Sequence, residues 1–125
     1  MFVKKIQMEY LIWIYSGGIM EEKLLEIINH YGILPQLKYF QSEVFELNEA
    51  ILQYEHINNY DLTSSNFKAY GNNQMKEHIA EEIADVEVML LQFKEYYHID
   101  GNEILKIMNE KIERQLNRIK NENNK

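Results

Sequence analysis

Cysteine is absent from the 125 residues. That excludes disulfides, thiolate zinc sites and a cysteine nucleophile. Proline occurs once, at Pro35, and glycine five times; so few breakers favour long helices. Strand-type alternation is also missing. No stretch approaches the roughly 20 apolar residues of a membrane span. Positive charge is in deficit, with 13 Lys+Arg against 20 Asp+Glu and a net charge of −7. A general nucleic-acid binder needs the opposite balance to neutralise phosphates. An acidic chain still binds phosphates when metal ions bridge the like charges. Lys4 and Lys5, followed by Leu11 to Tyr15, have the outline of a secretory leader. The apolar run is too short, Glu9 interrupts its approach, and no small-x-small cleavage site follows. A cytoplasmic protein is expected.

What is present is helical periodicity in a chain sized for a single domain. A first helix is expected from about Met20 to Tyr31, with Leu24, Ile27 and Ile28 on one face and Gly32 as its stop. A second is expected from about Leu34 to Glu55, with Pro35 tolerated in the first turn. Its stripe is Leu37, Phe40, Val44, Leu47, Ile51 and Tyr54. The polar residues from Asn58 to Asn73 read as a long loop, of the kind that often binds ligands. A third helix is expected from about Gln74 to Tyr97, striped by Ile79, Ile83, Val86, Leu90 and Phe93. A fourth opens at Asp100, where Asp100 and Glu103 form a capping-box-like start. It carries Ile104, Met108, Ile112, Leu116 and Ile119. The expected fold class is all-α and four-helix-bundle-like.

Residues 1–19 break this pattern. They are rich in β-branched and aromatic residues and end in Ser16-Gly17-Gly18. One hypothesis is that they are an extension foreign to the native protein, with Met20 as the true start and 20–125 as the working domain. Two glycine codons before a methionine codon can encode a purine-rich ribosome-binding sequence. Mass spectrometry of natively expressed protein decides the point, since an N-terminus at Met1 would sink it.

Glu43 and Glu46 are three apart on the second helix, and Glu82 and Asp85 are three apart on the third. With acids at 20 of 125 residues, roughly three such pairs arise by chance, so one pair means little. Phase says more. With Glu43 at zero, Leu47 falls at about 40°, Phe40 at about 60° and Glu46 at about −60°. With Glu82 at zero, Val86, Ile79 and Asp85 fall at about the same three angles. Both helices thus place acids on the border of their apolar stripe. Antiparallel packing by those stripes would converge four carboxylates at one edge of the core. Like charges there are mutually destabilising, and a hard divalent cation would offset the cost. Spacing alone leaves a metal site and a solvated acidic rim both open.

Lys111, Arg114 and Arg118 follow i, i+3, i+7 and share an arc of roughly 60° near the C-terminus. Favourable interaction with the helix dipole is one explanation, and a phosphate clamp is the other. The histidines His30, His56, His78 and His98 form no metal-ligand spacing. His78 lies one turn before Glu82 and reads first as a surface residue. Tyr60, Phe67 and Tyr70 could stack on a base or pin the loop to the core. Glu49 and Glu81 sit off the metal-facing arc and are expected to be solvated.

Gln41-Ser-Glu-Val-Phe-Glu-Leu-Asn-Glu-Ala-Ile51, followed by Glu81-Glu-Ile-Ala-Asp-Val-Glu-Val-Met-Leu-Leu91, resembles the MazG-like all-α nucleoside triphosphate pyrophosphohydrolases, most closely the short forms of Firmicutes and their phages. The family's Glu-x-x-Glu and Glu-x-x-Asp motifs fall on Glu43/Glu46 and Glu82/Asp85. Its basic last helix is matched by Asn109-Glu-Lys111-Ile-Glu-Arg114, with Gln115 where a second Arg is often found. The likeness covers about Met20 to Ile119. It implies that Glu43, Glu46, Glu82 and Asp85 form the catalytic metal site for Mg²⁺, with Mn²⁺ able to substitute. Lys111 and Arg114 would neutralise phosphates, with Arg118 on the same face. Attack within the phosphate chain would release a nucleoside monophosphate and pyrophosphate. The resemblance also implies a homodimer or homotetramer, with helices of two chains completing a four-helix core. Two other functions stay in view: a non-catalytic helical oligomerisation module, and pyrophosphohydrolysis of phosphoribosyl-ATP.

Overall fold

The computed structural model describes residues 20–59 and 65–124, with side chains described for 20–57 and 73–124. The expected extension over 1–19 lies outside the described residues. So does Tyr60, and the side chains of Phe67 and Tyr70 are outside those described, so their stacking roles lie there too. The described residues form four helices and no strand: α1 (Glu21–Tyr31), α2 (Ile33–Asn59), α3 (Ser65–Tyr96) and α4 (Gly101–Asn123). None of them is long and apolar enough to cross a membrane.

α1 starts with Glu21 and Glu22 in its first turn, where acids favour the helix dipole. It stops at Gly32, whose φ of +92° suits glycine and few other residues. The Gly32 N–H donates to the Ile28 carbonyl, and the Gly32 carbonyl accepts from Gln36 N. One residue thus closes α1 and opens α2. Pro35 sits in the first turn of α2 and leaves no intrahelical bond unmade.

The long expected loop is largely helix. α3 begins at Ser65 rather than near Gln74, so Gly71, Asn72 and Asn73 are helical. Each of these residues lowers helix propensity by up to about 1 kcal/mol. Extending a helix that the 23 residues from 74 to 96 already nucleate is far easier than starting one. Loop-type composition therefore marked a weak helix end.

α3 closes with Ile99 N donating to Lys94 O and His98 N to Glu95 O. This is a Schellman-type ending, with His98 at φ +54° in the position glycine normally takes. Asp100 then caps α4 as expected: its Oδ1 accepts from Asn102 N at 2.9 Å.

The chain divides into two compact units. One is Ile27–Gln92; the other joins described residues 20–26 to 93–124. In the first unit α2 and α3 run antiparallel. Gln36 bonds Gln92, Glu43 meets Glu82 and Asp85, and the Lys76 ammonium lies 6.0 Å from the Tyr54 ring centre. The facing seam of α2 is Gln36, Phe40, Glu43, Leu47, Ala50 and Tyr54. That of α3 is Met75, Ile79, Glu82, Val86 and Met89. Both repeat in alternating steps of four and three, as two packed helices require.

This seam is rotated from the apolar stripes read in the sequence. Leu37, Ile51, Ile83 and Leu90 belong to those stripes and are exposed by 40–44%. Gln36, Glu43 and Glu82 are buried in their stead. The acids do not border the seam; Glu43 and Glu82 stand in it. Apolar patterning could not show this, because it assigns carboxylates to the surface by default.

In the second unit Leu24 and Leu105 are buried, with a Lys94–Glu95 ion pair buried as well. The stripe of α4 is amphipathic but not a core within one chain. Met108, Ile112, Leu116 and Ile119 are 40–51% exposed.

Candidate metal centre

The site is built by one turn of α2 and one turn of α3, within the unit Ile27–Gln92. Carboxylate oxygens of Glu43, Glu82 and Asp85 lie within 4.8 Å of one another. Glu43 is 4% exposed and Glu82 7%, while Asp85 opens to solvent. One oxygen on each buried residue, Glu43 Oε2 and Glu82 Oε2, has no hydrogen-bond partner in the protein. Buried carboxylates normally find donors or cations, because desolvating an unpaired charge is costly. Two buried acids, each with an orphaned oxygen and grouped with a third acid, supply the oxygen ligands a divalent cation takes. The residues therefore fit such an ion, which would be held by Glu43, Glu82 and Asp85.

The surrounding electrostatics agree. Burial pushes the Glu82 carboxyl above its ordinary 4.5; the charge of Glu46 adds to the rise, His78 opposes it, and Asp85 and Glu43 add further. His78 Nδ1 stands 3.9 Å from Glu82 Oε1, and its ring is half exposed. It touches the rim of the site while remaining a surface residue. The Tyr39 hydroxyl hydrogen-bonds Glu43, and this bond with the Glu43 charge raises the phenol above its ordinary 10.0. Tyr39 thereby orients one of the acids, as outer residues do around metal ligands.

Of the four acids expected at the site, three are brought together. Glu46 is exposed and stands outside the trio, yet its charge acts on both Glu82 and Tyr39. Lys111, Arg114 and Arg118 are all exposed on α4, in the other unit. Glu49 and Glu81 are exposed, as expected.

Beside the acids lies a cavity of about 590 Å³, whose wall includes Glu43 and Asp85 together with Gln36, Gln92, Met89 and Tyr39. Gln36 Nε2 donates to Gln92 Oε1 at 2.7 Å, and both side chains are buried. Sequence reasoning missed this amide pair. A signal existed: Gln36 stands seven residues before Glu43, so any heptad register that buries one buries both.

The chain matches no family model, no curated protein and no solved structure. The argument for function therefore stands on the residues and their geometry.

Proposed function

We propose that the protein is a divalent-metal-dependent pyrophosphohydrolase, cleaving nucleoside triphosphates to a nucleoside monophosphate and pyrophosphate. One observation carries this reading: Glu43 and Glu82 each bury a carboxylate oxygen with no protein partner, directly beside Asp85. A solvated acidic rim would leave all of its oxygens wet. The sequence likeness to MazG-like enzymes supplies the reaction, and the acid trio is consistent with it.

Glu43, Glu82 and Asp85 would hold Mg²⁺ or Mn²⁺. When bound, the ion supplies charge for phosphate oxygens and makes a nearby water more acidic. Glu46, exposed one turn after Glu43, would accept a proton through water or add a ligand. Tyr39 fixes Glu43. By the family likeness, Lys111, Arg114 and Arg118, exposed on α4, would be the residues that neutralise phosphates. The exposed apolar positions of α4 and the Leu37/Ile51 and Ile83/Leu90 faces support a homodimer or homotetramer. Those same faces favour the second reading, a helical oligomerisation module without catalysis. That reading leaves the buried acids unexplained, since a pure interface prefers apolar or opposite-charge positions there.

The test is pyrophosphate release from a panel of ribo- and deoxyribonucleoside triphosphates, with phosphoribosyl-ATP included. Activity should require Mg²⁺ or Mn²⁺. It should fall by at least about 100-fold in Glu82→Gln and Asp85→Asn, beyond the loss typical of residues outside the ligand shell. Activity that survives both metal removal and these substitutions refutes the site. A folded protein inactive on every nucleotide returns the oligomerisation module to first place.

A further inference from the structure

The cavity beside the acids has a chemistry of its own. Gln36 and Gln92 are exposed by only 7% and 2%, and both line it. Their mutual bond uses Gln36 Nε2 and Gln92 Oε1. By the carboxamide inventory, the acceptor left over is Gln36 Oε1 and the donor left over is Gln92 Nε2. The latter reaches the Met89 thioether, at 3.7 Å, which is a weak acceptor. A buried pair thus retains one donor and one acceptor of good quality. Tyr31 and Tyr39 also line the cavity, both more than half exposed, and Met89 is buried. Aromatic rings and a thioether suit the face of a planar heterocycle. The volume falls within the range of small-molecule sites, roughly 300–1,000 Å³.

We infer that this cavity holds the base of the nucleotide, with the Gln36–Gln92 amide pair reading a ring edge that carries a neighbouring donor and acceptor. The inference rests on the phosphate-processing reading of Glu43, Glu82 and Asp85, of which Glu43 and Asp85 line the cavity. A base seated here has its phosphates at the acids without a further groove.

The amide pair sets a definite selectivity. If both carboxamides turn over together, their mutual bond is restored with reversed polarity. Gln36 then offers the donor and Gln92 the acceptor. The pair therefore accepts a keto edge such as that of uracil and an amino edge such as that of cytosine. It demands a hydrogen-bonding edge while remaining indifferent to its direction. A pocket built to hydrogen-bond rejects ligands that leave its polar groups unpaired.

The test measures binding by calorimetry in Ca²⁺, to hold back turnover. The ligands are UTP, CTP and inorganic tripolyphosphate, against wild type, Gln36→Leu, Gln92→Leu and Gln36→Glu. Wild type should bind UTP and CTP within about fivefold of one another, and both at least about tenfold tighter than tripolyphosphate. Either leucine variant should remove that advantage and leave tripolyphosphate binding unchanged. Gln36→Glu keeps the site polar and guards against a folding failure in the leucine variants. Its carboxylate only accepts, so both outward atoms become acceptors; uracil and cytosine each then set one acceptor against an acceptor, and the advantage of UTP and of CTP over tripolyphosphate should fall by about tenfold or more. Tripolyphosphate binding as tightly as UTP to wild type overturns the inference and spares the phosphate site. So does a nucleotide advantage that survives both leucine variants, or one left undiminished in Gln36→Glu. Loss of all phosphate binding in wild type, with Ca²⁺ still bound, overturns the pyrophosphohydrolase reading and this inference with it.

Discussion

At the scale of single residues, the decisive feature is that Glu43 and Glu82 occupy seam positions that leucine or isoleucine would fill in an ordinary helix pair. Glu82 states the consequence most clearly. Its carboxyl lies above 4.5 in the folded chain, first through burial and then through the charge of Glu46, with His78 opposing. The folded state therefore holds this proton more readily than the unfolded one. Its contribution to stability is complete below pH 4.5 and declines as the pH rises through the raised value. Metal-free protein should lose stability from this group as the pH is raised above 4.5. Glu82→Gln should flatten that slope and raise the neutral-pH melting temperature of the metal-free form, while abolishing stabilisation by Mg²⁺. Thermal melts with EDTA across that range check it, and an unaltered slope in the variant would contradict it. Tyr39→Phe removes the hydroxyl that holds Glu43 and should weaken metal binding by about 10-fold, as loss of an outer partner does. The acid pairs were legible in the sequence, because their spacing and phase match on two helices. Their burial was not, since a pattern of apolar residues carries no information about a carboxylate placed among them.

At the scale of elements, two backbone positions decide where helices end. Gly32 at φ +92° lets α1 stop and α2 begin within one residue. Gly32→Ala should cost about 1–2 kcal/mol, the penalty of an L-residue in that region. His98 already bears that strain at φ +54°, so His98→Gly should stabilise by about 1 kcal/mol. Denaturant titration reads both, and a stabilised Gly32→Ala would mean the φ assignment is wrong. Helix number, the Gly32 stop and the Asp100 cap were legible because each has a local chemical signature. The start of α3 was not. Gly71, Asn72 and Asn73 favour loops individually, but helix extension is cooperative and the sum over α3 prevails.

At the scale of the whole molecule, too much apolar surface is left over. Ile112, Leu116 and Ile119 on α4 are about half exposed, and Leu37, Ile51, Ile83 and Leu90 of the α2 and α3 stripes are 40–44% exposed. Contiguous exposed apolar positions mark interfaces more often than plain surface. Ile112→Glu should convert the proposed homodimer or homotetramer to monomers in light scattering; an unchanged mass would exclude α4 from the interface. The net charge of −7 is compatible with the proposed phosphate substrate only where metal ions bridge the like charges. The central claim is that Glu43, Glu82 and Asp85 together hold a divalent cation. The most direct measurement is titration of Mn²⁺ followed by electron paramagnetic resonance, where bound ion loses the free-ion signal. Wild type should bind Mn²⁺ competitively with Mg²⁺, and Glu43→Gln, Glu82→Gln and Asp85→Asn should each weaken it by about 10-fold or more. Binding that is equally tight in all three variants would contradict the account.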